Sequence, residues 1–249
     1  MKIAVLGLGE AGGRLAADLT AAGAEVSGYD PDPARGAVGD ADIPSAVGGA
    51  GVVLSVNSAS VAAGVAVSAV PALGADAVYA DLNTGAPALK RELAGIVGAA
   101  RFADVALLGT VPARGLGTPA LASGPGAKAF TEVLVPLGMP VEVVSETPGD
   151  AAALKLLRSV FMKGLAAAAI ESHRAAEAAG SADWLDEQIA GVVGAPLLER
   201  LLEGSERHAA RRVDELEAAR ALLLELGVEP RIADASAAIL AELAAKDPG

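Results

Sequence analysis

The chain has 249 residues, enough for one large domain or two smaller ones, and a formal charge of −12 divided equally to either side of Gly149, so no basic face offers itself to nucleic acid or an anionic membrane. It contains no cysteine, which excludes disulfides, thiolate catalysis and zinc–thiolate sites and suits a reducing cytoplasm. Hydrophobic residues make up 53% and aromatics only 2%, so the core has to be built from Ala, Val and Leu.

Ile3 to Leu6 is a short apolar run of the kind found in buried parallel strands. Its break at Gly7 and Gly9, followed by Glu10, is unlike a signal peptide. Gly7-Leu8-Gly9-Glu10-Ala11-Gly12 follows at once, then a helix from Gly13 with Leu15, Ala16 and Leu19 on one face, then a strand from Ala24 to Tyr29 ending in Asp30. Each part has a job in a dinucleotide site. Gly7 permits a tight turn, Gly9 lets backbone approach a pyrophosphate, and Gly12 lets helix and strand pack closely. The helix N-terminus presents N–H groups to phosphate. Asp30 lies 21 residues after Gly9, where a carboxylate accepts hydrogen bonds from adenosine ribose hydroxyls and repels a 2′-phosphate. That favours NAD over NADP, with Arg35 close enough in sequence to offset the repulsion.

Residues 43–75 carry no charge, but Gly48, Gly49, Gly51, Asn57, Gly64 and Pro71 interrupt them, so they read as strand plus helix rather than a membrane span. Val52 to Val56 is the strand, with Asn57 at its C-terminal end, where ligands sit in such sheets, and Ser60 to Val70 is the helix. Strands at Val78–Ala80, Arg101–Leu107, Ala120–Ser123 and Val141–Val144 follow, with helices at Pro87–Val97 and Ala127–Leu137. The alternation predicts a mainly parallel, doubly wound Rossmann-type α/β sheet over residues 1–148.

Gly and Pro then become scarce, and residues 149–249 read as an all-α second domain. Its first helix runs from Asp150 to about Ala179, with only Gly164 inside, for roughly 45 Å at 1.5 Å per residue. One chain has too little sequence left to cover its apolar faces, which predicts a homodimer. Further helices are expected from about Asp183, from Ala195, from Ser205 to Leu226 and from Ile232 to Ala245.

On the long helix Lys155, Ser159 and Lys163 recur every four residues and share one face. An ordinary solvated stripe would look the same, but the helix leaves the sheet domain beside the expected nicotinamide. A half-buried lysine there could exchange a proton with a substrate oxygen. His208, Arg211, Arg212 and Glu215 share another helical face, read either as a solvated face with an Arg211–Glu215 pair or as a face presenting His208 to a partner subunit's active site. His173 reads as structural and Trp184 as core or interface. Two histidines so far apart make no metal site.

In order along the chain, Gly7-Leu-Gly9-Glu-Ala-Gly12, Asp81-Leu-Asn83-Thr84-Gly85-Ala-Pro87, Asp104-Val-Ala-Leu-Leu-Gly109 and Gly149 with Lys155 six residues on resemble the signatures of β-hydroxyacid dehydrogenases. That superfamily includes 3-hydroxyisobutyrate and 6-phosphogluconate dehydrogenases and the imine reductases. The run Arg207-His208-Ala-Ala-Arg211-Arg212-Val-Asp-Glu215 resembles the branch with a short helical domain of unknown function, DUF1932. The resemblance implies an NAD(P) cofactor held by Gly7 to Gly12, Asp30, Val56, Asn57 and Asn83. It implies Lys155 as general acid/base, Asn83 and Thr84 at the nicotinamide–substrate junction, and the segment Leu107 to Thr110, with Leu108 and Gly109, as the holder of the substrate carboxylate or its equivalent. Ser159 one turn on from Lys155, Lys163 and His208 are the further candidates for the site. Two departures stand out. The family's polar substrate loop reads Asp-Val-Ala-Leu-Leu-Gly-Thr here, and Ser159 replaces its usual asparagine. The expectation is a NAD(P)-dependent oxidoreductase acting on C–OH/C=O. The alternatives are C=N reduction and a non-catalytic dinucleotide-binding protein.

Overall fold

A computed structural model describes residues 1–35, 39–98, 101–206 and 209–246. The chain divides into two compact units, Met1–Lys155 and Leu156–Gly249.

In the first unit, strands β1 (Lys2–Leu6), β2 (Glu25–Tyr29), β3 (Val52–Ser55), β4 (Val78–Asp81), β5 (Phe102–Leu107), β6 (Ala120–Ser123) and β7 (Val141–Ser145) form one sheet in the order β2-β1-β3-β4-β5-β6-β7. The first five are parallel; β6 is antiparallel to β5, and β7 is parallel to β6. A parallel return usually needs a full crossover helix. The β5–β6 connection carries only the short helix α5 (Val111–Arg114) and one further turn at Gly115–Gly117, so the chain doubles back instead.

Helices α1 (Glu10–Ala21), α2 (Ile43–Val47), α3 (Ala59–Ala69), α4 (Pro87–Val97) and α6 (Ala127–Leu134) complete the unit. The short α2 was not expected from the sequence; Asp42 caps it by accepting the Ser45 N–H at 2.8 Å. Helices α3 and α6 end earlier than expected, each just before the residue that precedes a proline, Pro71 and Pro136. Alternate strand residues feed two cores. Ile3, Val5, Val52, Leu54, Val78, Ala80, Ala103 and Val105 pack on one face, while Ala4, Leu6, Val53, Tyr79 and Phe102 pack on the other. Burial of both faces explains why the strands read as continuous apolar runs rather than alternating ones.

Helix α7 (Asp150–Ala178) begins in the first unit and continues into the second. Its opening is capped from the sheet: Ser123 Oγ accepts the Ala151 N–H at 3.0 Å, and Asp104 Oδ2 accepts the Ala152 N–H at 2.9 Å. These satisfy two of the N–H groups a helix start leaves unpaired, and the carboxylate faces the positive end of the dipole.

The second unit adds α8 (Ala182–Val193), α9 (Ala195–Glu206), α10 (Ala209–Glu225) and α11 (Arg231–Lys246). Ser205 does not open α10 as expected; it is buried in α9 with its hydroxyl on the Leu201 carbonyl. Ala166, Ala169, Leu198 and Leu201 form one small core, and Ile170, Leu216, Leu240 and Leu243 anchor another. Leu157 and Phe161 remain exposed, and so does Trp184, which therefore is not core in this chain. Among the described residues no helix is long and apolar enough to cross a membrane.

Candidate functional site

The glycine loop joins β1 to α1. Gly7 has φ +99°, and a Cβ there would lie 2.2 Å from the Val56 carbonyl oxygen; one on Gly12 would lie 1.8 Å from the Gly7 carbonyl oxygen. Both are demanded by the fold itself. Gly9 differs, since its Cβ would meet only the movable tip of Arg35, at 3.2 Å. Its bare backbone caps α1, whose first turn (Glu10, Ala11 and Gly12) receives no side-chain cap. A helix start so exposed suits an anion such as a pyrophosphate. Leu8 is buried beneath the loop, and its N–H donates to Asp30 Oδ2 at 2.7 Å. Asp30 Oδ1 accepts the Asp32 N–H at 2.9 Å. Arg35 lies alongside, its Nη1 3.8 Å from Asp30 and its Nε 3.2 Å from Asp32. Thus both charges weighed from the sequence stand together at the end of β2.

At the ends of β3 and β4 two asparagines lock each other. The Asn57 N–H donates to Asn83 Oδ1 at 2.6 Å, and Asn83 Nδ2 donates to Asn57 Oδ1 at 3.0 Å and to Ser55 Oγ at 3.2 Å. Val56 precedes Asn57 and donates its own N–H to the Leu6 carbonyl. One residue beyond Asn83, the Thr84 hydroxyl accepts a hydrogen bond from Lys155 Nζ at 2.7 Å, linking residues 71 positions apart. The structure therefore brings Asn57, Asn83, Thr84 and Lys155 together. Gly149 makes this possible: at φ +102° it passes Pro87 so closely that a Cβ would lie 2.9 Å from the Pro87 carbonyl oxygen.

Beneath this group lies a charged cluster that the sequence reading missed. Asp81 and Asp104 face each other in register on β4 and β5. Lys90, on α4, sits between them almost wholly buried, with Nζ 2.5 Å from Asp81 Oδ2 and 3.2 Å from Asp104 Oδ1. It also donates to the Asn83 carbonyl at 2.8 Å. Burial opposes the ammonium, but the two carboxylates outweigh it and hold the Lys90 pKa above the ordinary lysine value. The signal was present: Lys90 shares a helical face with Leu93, Ala94 and Val97, where an apolar residue belongs.

The remaining expected residues divide. Leu108, Gly109 and Thr110 lie on the β5–β6 connection; the Leu108 N–H donates to the Pro119 carbonyl, and Thr110 is the residue at the start of α5. Ser159 and Lys163 belong to the second unit, where Lys163 donates to Ser159 Oγ at 3.3 Å and forms an ion pair with Glu215. Glu215 is buried rather than solvated, and its carboxylate meets Lys163 across helices; the Arg211 side chain, its other expected partner, lies outside the described residues. Arg212 donates to Ser205. His173 contacts Asp186 at 2.9 Å, as a structural residue would. His208 lies outside the described residues. Among those described, no group of His, Cys, Asp and Glu could hold a metal ion.

The fold and this site define a dinucleotide-binding domain followed by a helical domain. Residues 176–243 match the model of DUF1932, a domain of unknown function. A conserved hypothetical protein from Sinorhizobium meliloti is 31% identical; the likeness covers 97% of this chain and 87% of that one, with a TM-score of 0.77. The 3-hydroxyisobutyrate dehydrogenase of Mycobacterium tuberculosis, solved with L-serine, shares the fold at TM-score 0.82 and 22% identity, over 98% of this chain and 94% of that one. An uncharacterized 28.5 kDa protein of Methanothermus fervidus is 28% identical over 156 residues, spanning 61% of this chain and 61% of that relative. The chain thus carries a DUF1932 domain and has the fold of the 3-hydroxyacid dehydrogenases.

Proposed function

We propose that the protein is a NAD(P)-dependent dehydrogenase that moves hydride between nicotinamide and a C–OH/C=O substrate, with Lys155 exchanging the proton. The observation that carries this reading is the hydrogen bond from Lys155 Nζ to Thr84 Oγ1 at 2.7 Å, beside the Asn57–Asn83 pair. A dinucleotide fits the residues present. Gly9 and the uncapped start of α1 take the pyrophosphate, and Leu8, Glu10 and Ala11 frame it between Gly7 and Gly12. Asp30 receives the adenosine ribose, and Val56, Asn57 and Asn83 line the nicotinamide half. Bound there, the cofactor supplies or accepts the hydride.

Lys155 does the rest from the protein side. In the reducing direction its ammonium gives a proton to the carbonyl oxygen; in the oxidising direction its neutral amine takes the hydroxyl proton. Thr84 fixes the direction in which Nζ points. Leu108, Gly109 and Thr110 supply a mostly apolar substrate wall, and Ser159 follows Lys155 one turn on along the helix. Lys163 shares its charge with Glu215, which weakens it as an anchor for an anionic substrate. C=N reduction is the second reading, favoured by the apolar character of Leu107-Leu108 where the family's loop is polar.

NAD is the preferred cofactor in this proposal, because the Asp30 carboxylate opposes a 2′-phosphate that Arg35 alone would have to hold. The protein acts as a cytoplasmic homodimer through its helical unit. An apolar groove of about 430 Å³ lined by Leu157, Val160, Phe161, Gly164, Leu165 and Ile232 supports that contact. The test is a panel of hydroxy acids, carbonyls and imines assayed by nicotinamide absorbance, with NADH and NADPH compared by fluorescence titration and mass by light scattering. No turnover across the panel despite tight NADH binding would favour a dinucleotide-binding protein without catalysis. Tighter NADPH binding would show that Arg35 rather than Asp30 decides.

A further inference from the structure

Lys90 touches both halves of the candidate site without belonging to either. Through Asp81 it reaches Asn83, since Asp81 Oδ1 accepts Asn83 Nδ2 at 2.5 Å while Asp81 Oδ2 holds Lys90. It also grips the same residue directly, at the Asn83 carbonyl, in the peptide that leads into Thr84. Through Asp104 it reaches the opening of α7, because that carboxylate faces Lys90 with one oxygen and caps Ala152 with the other. Three residues after Ala152 comes Lys155. Two carboxylates opposed on neighbouring strands would repel if left alone. One buried cation sets the spacing of both.

We infer that Lys90 is a positioning residue: with Asp81 and Asp104 it fixes the Asn83 amide toward the cofactor and the first turn of α7 toward Thr84. The role rests on the proposed dinucleotide chemistry. A lysine that merely filled the core would stabilise the fold, and its effect on cofactor binding would be independent of Asn83. A positioning lysine acts through Asn83, so the two losses must fail to add.

The readout is NADH affinity by fluorescence titration, or NADPH affinity if the wild type binds that more tightly. Lys90→Met alone strands two carboxylates, so the Asp81 arm is opened with two milder variants. Asp81→Asn leaves Lys90 paired with Asp104, and Lys90→Met/Asp81→Asn removes one charge of each sign. Each is also made with Asn83→Ala, and cooperative melting is checked throughout. Both variants should bind about tenfold more weakly, the worth of one charge-assisted hydrogen bond. In the Asn83→Ala background they should cost less than about twofold more. Well-folded variants that bind like wild type, or losses that multiply, would overturn the role. A wild type that binds neither dinucleotide overturns the dinucleotide reading first, and this role falls with it.

Discussion

Two lysines hold consecutive residues, Asn83 and Thr84, and they do so under opposite conditions. Lys90 is sealed under the sheet's end and bound to two carboxylates and a carbonyl. Lys155 is half-buried and donates to a hydroxyl. An ammonium held by Asp81 and Asp104 keeps its proton across the whole working range of pH and suits a fixed charge. Lys155 has one side toward solvent and lies at the proposed junction of cofactor and substrate, the place for the proton exchange proposed for it. If the proposed roles hold, depth and position rather than residue type divide the two lysines.

The sharpest way to break this division is Lys155→Met. Turnover should fall by roughly 10²–10⁴, the usual worth of a positioned acid/base, while the melting temperature and NADH affinity hold. Near-full activity would move the proton to another group. Lys90→Met should do the reverse and act first on folding: leaving two carboxylates buried without their cation costs about 3–5 kcal/mol, read from urea midpoints. Those midpoints carry a pH signature as well. Because Lys90 is held above its unfolded pKa of about 10.4, its contribution is complete below that pH and is lost as pH rises through the folded value. Wild type should therefore lose stability in strong alkali more steeply than Lys90→Met/Asp81→Asn, and parallel curves would count against a charged Lys90. Thr84→Val is milder. It removes the acceptor that aims Lys155, and kcat should drop about tenfold with KM little changed. Lys163→Met should matter least to turnover, because Glu215 already balances that charge.

What could be read from the sequence and what could not follow the same line. The loop from Gly7 to Gly12 and the strand ending at Asp30 are written in local spacing. Strand, turn and helix there depend on neighbours within about thirty residues. The nearness of Lys155 to Thr84 was implied as well, by four motifs in order. Lys90 was not, because its reason for being buried is the pairing of Asp81 with Asp104, and that pairing exists only once β4 and β5 are neighbours. The helical unit repeats the lesson. Glu215 meets Lys163 across 52 residues, and no single-helix pattern shows which face of α10 turns inward. Trp184 was read as core or interface, and its exposure in this chain removes only the first.

The caps on α7 have a consequence in time. The helix's first turn depends on Ser123 and Asp104, 28 and 48 residues back along the chain, on two strands that must already be paired antiparallel. Contacts that distant form late, after loop-closure entropy has been overcome. The opening of α7 is therefore a late event in folding, set only when the reversed strand β6 has docked. Amide exchange should show it: Ala151 and Ala152 should open together with β5 and β6 as one cooperative block, while the middle of the same helix exchanges on its own schedule.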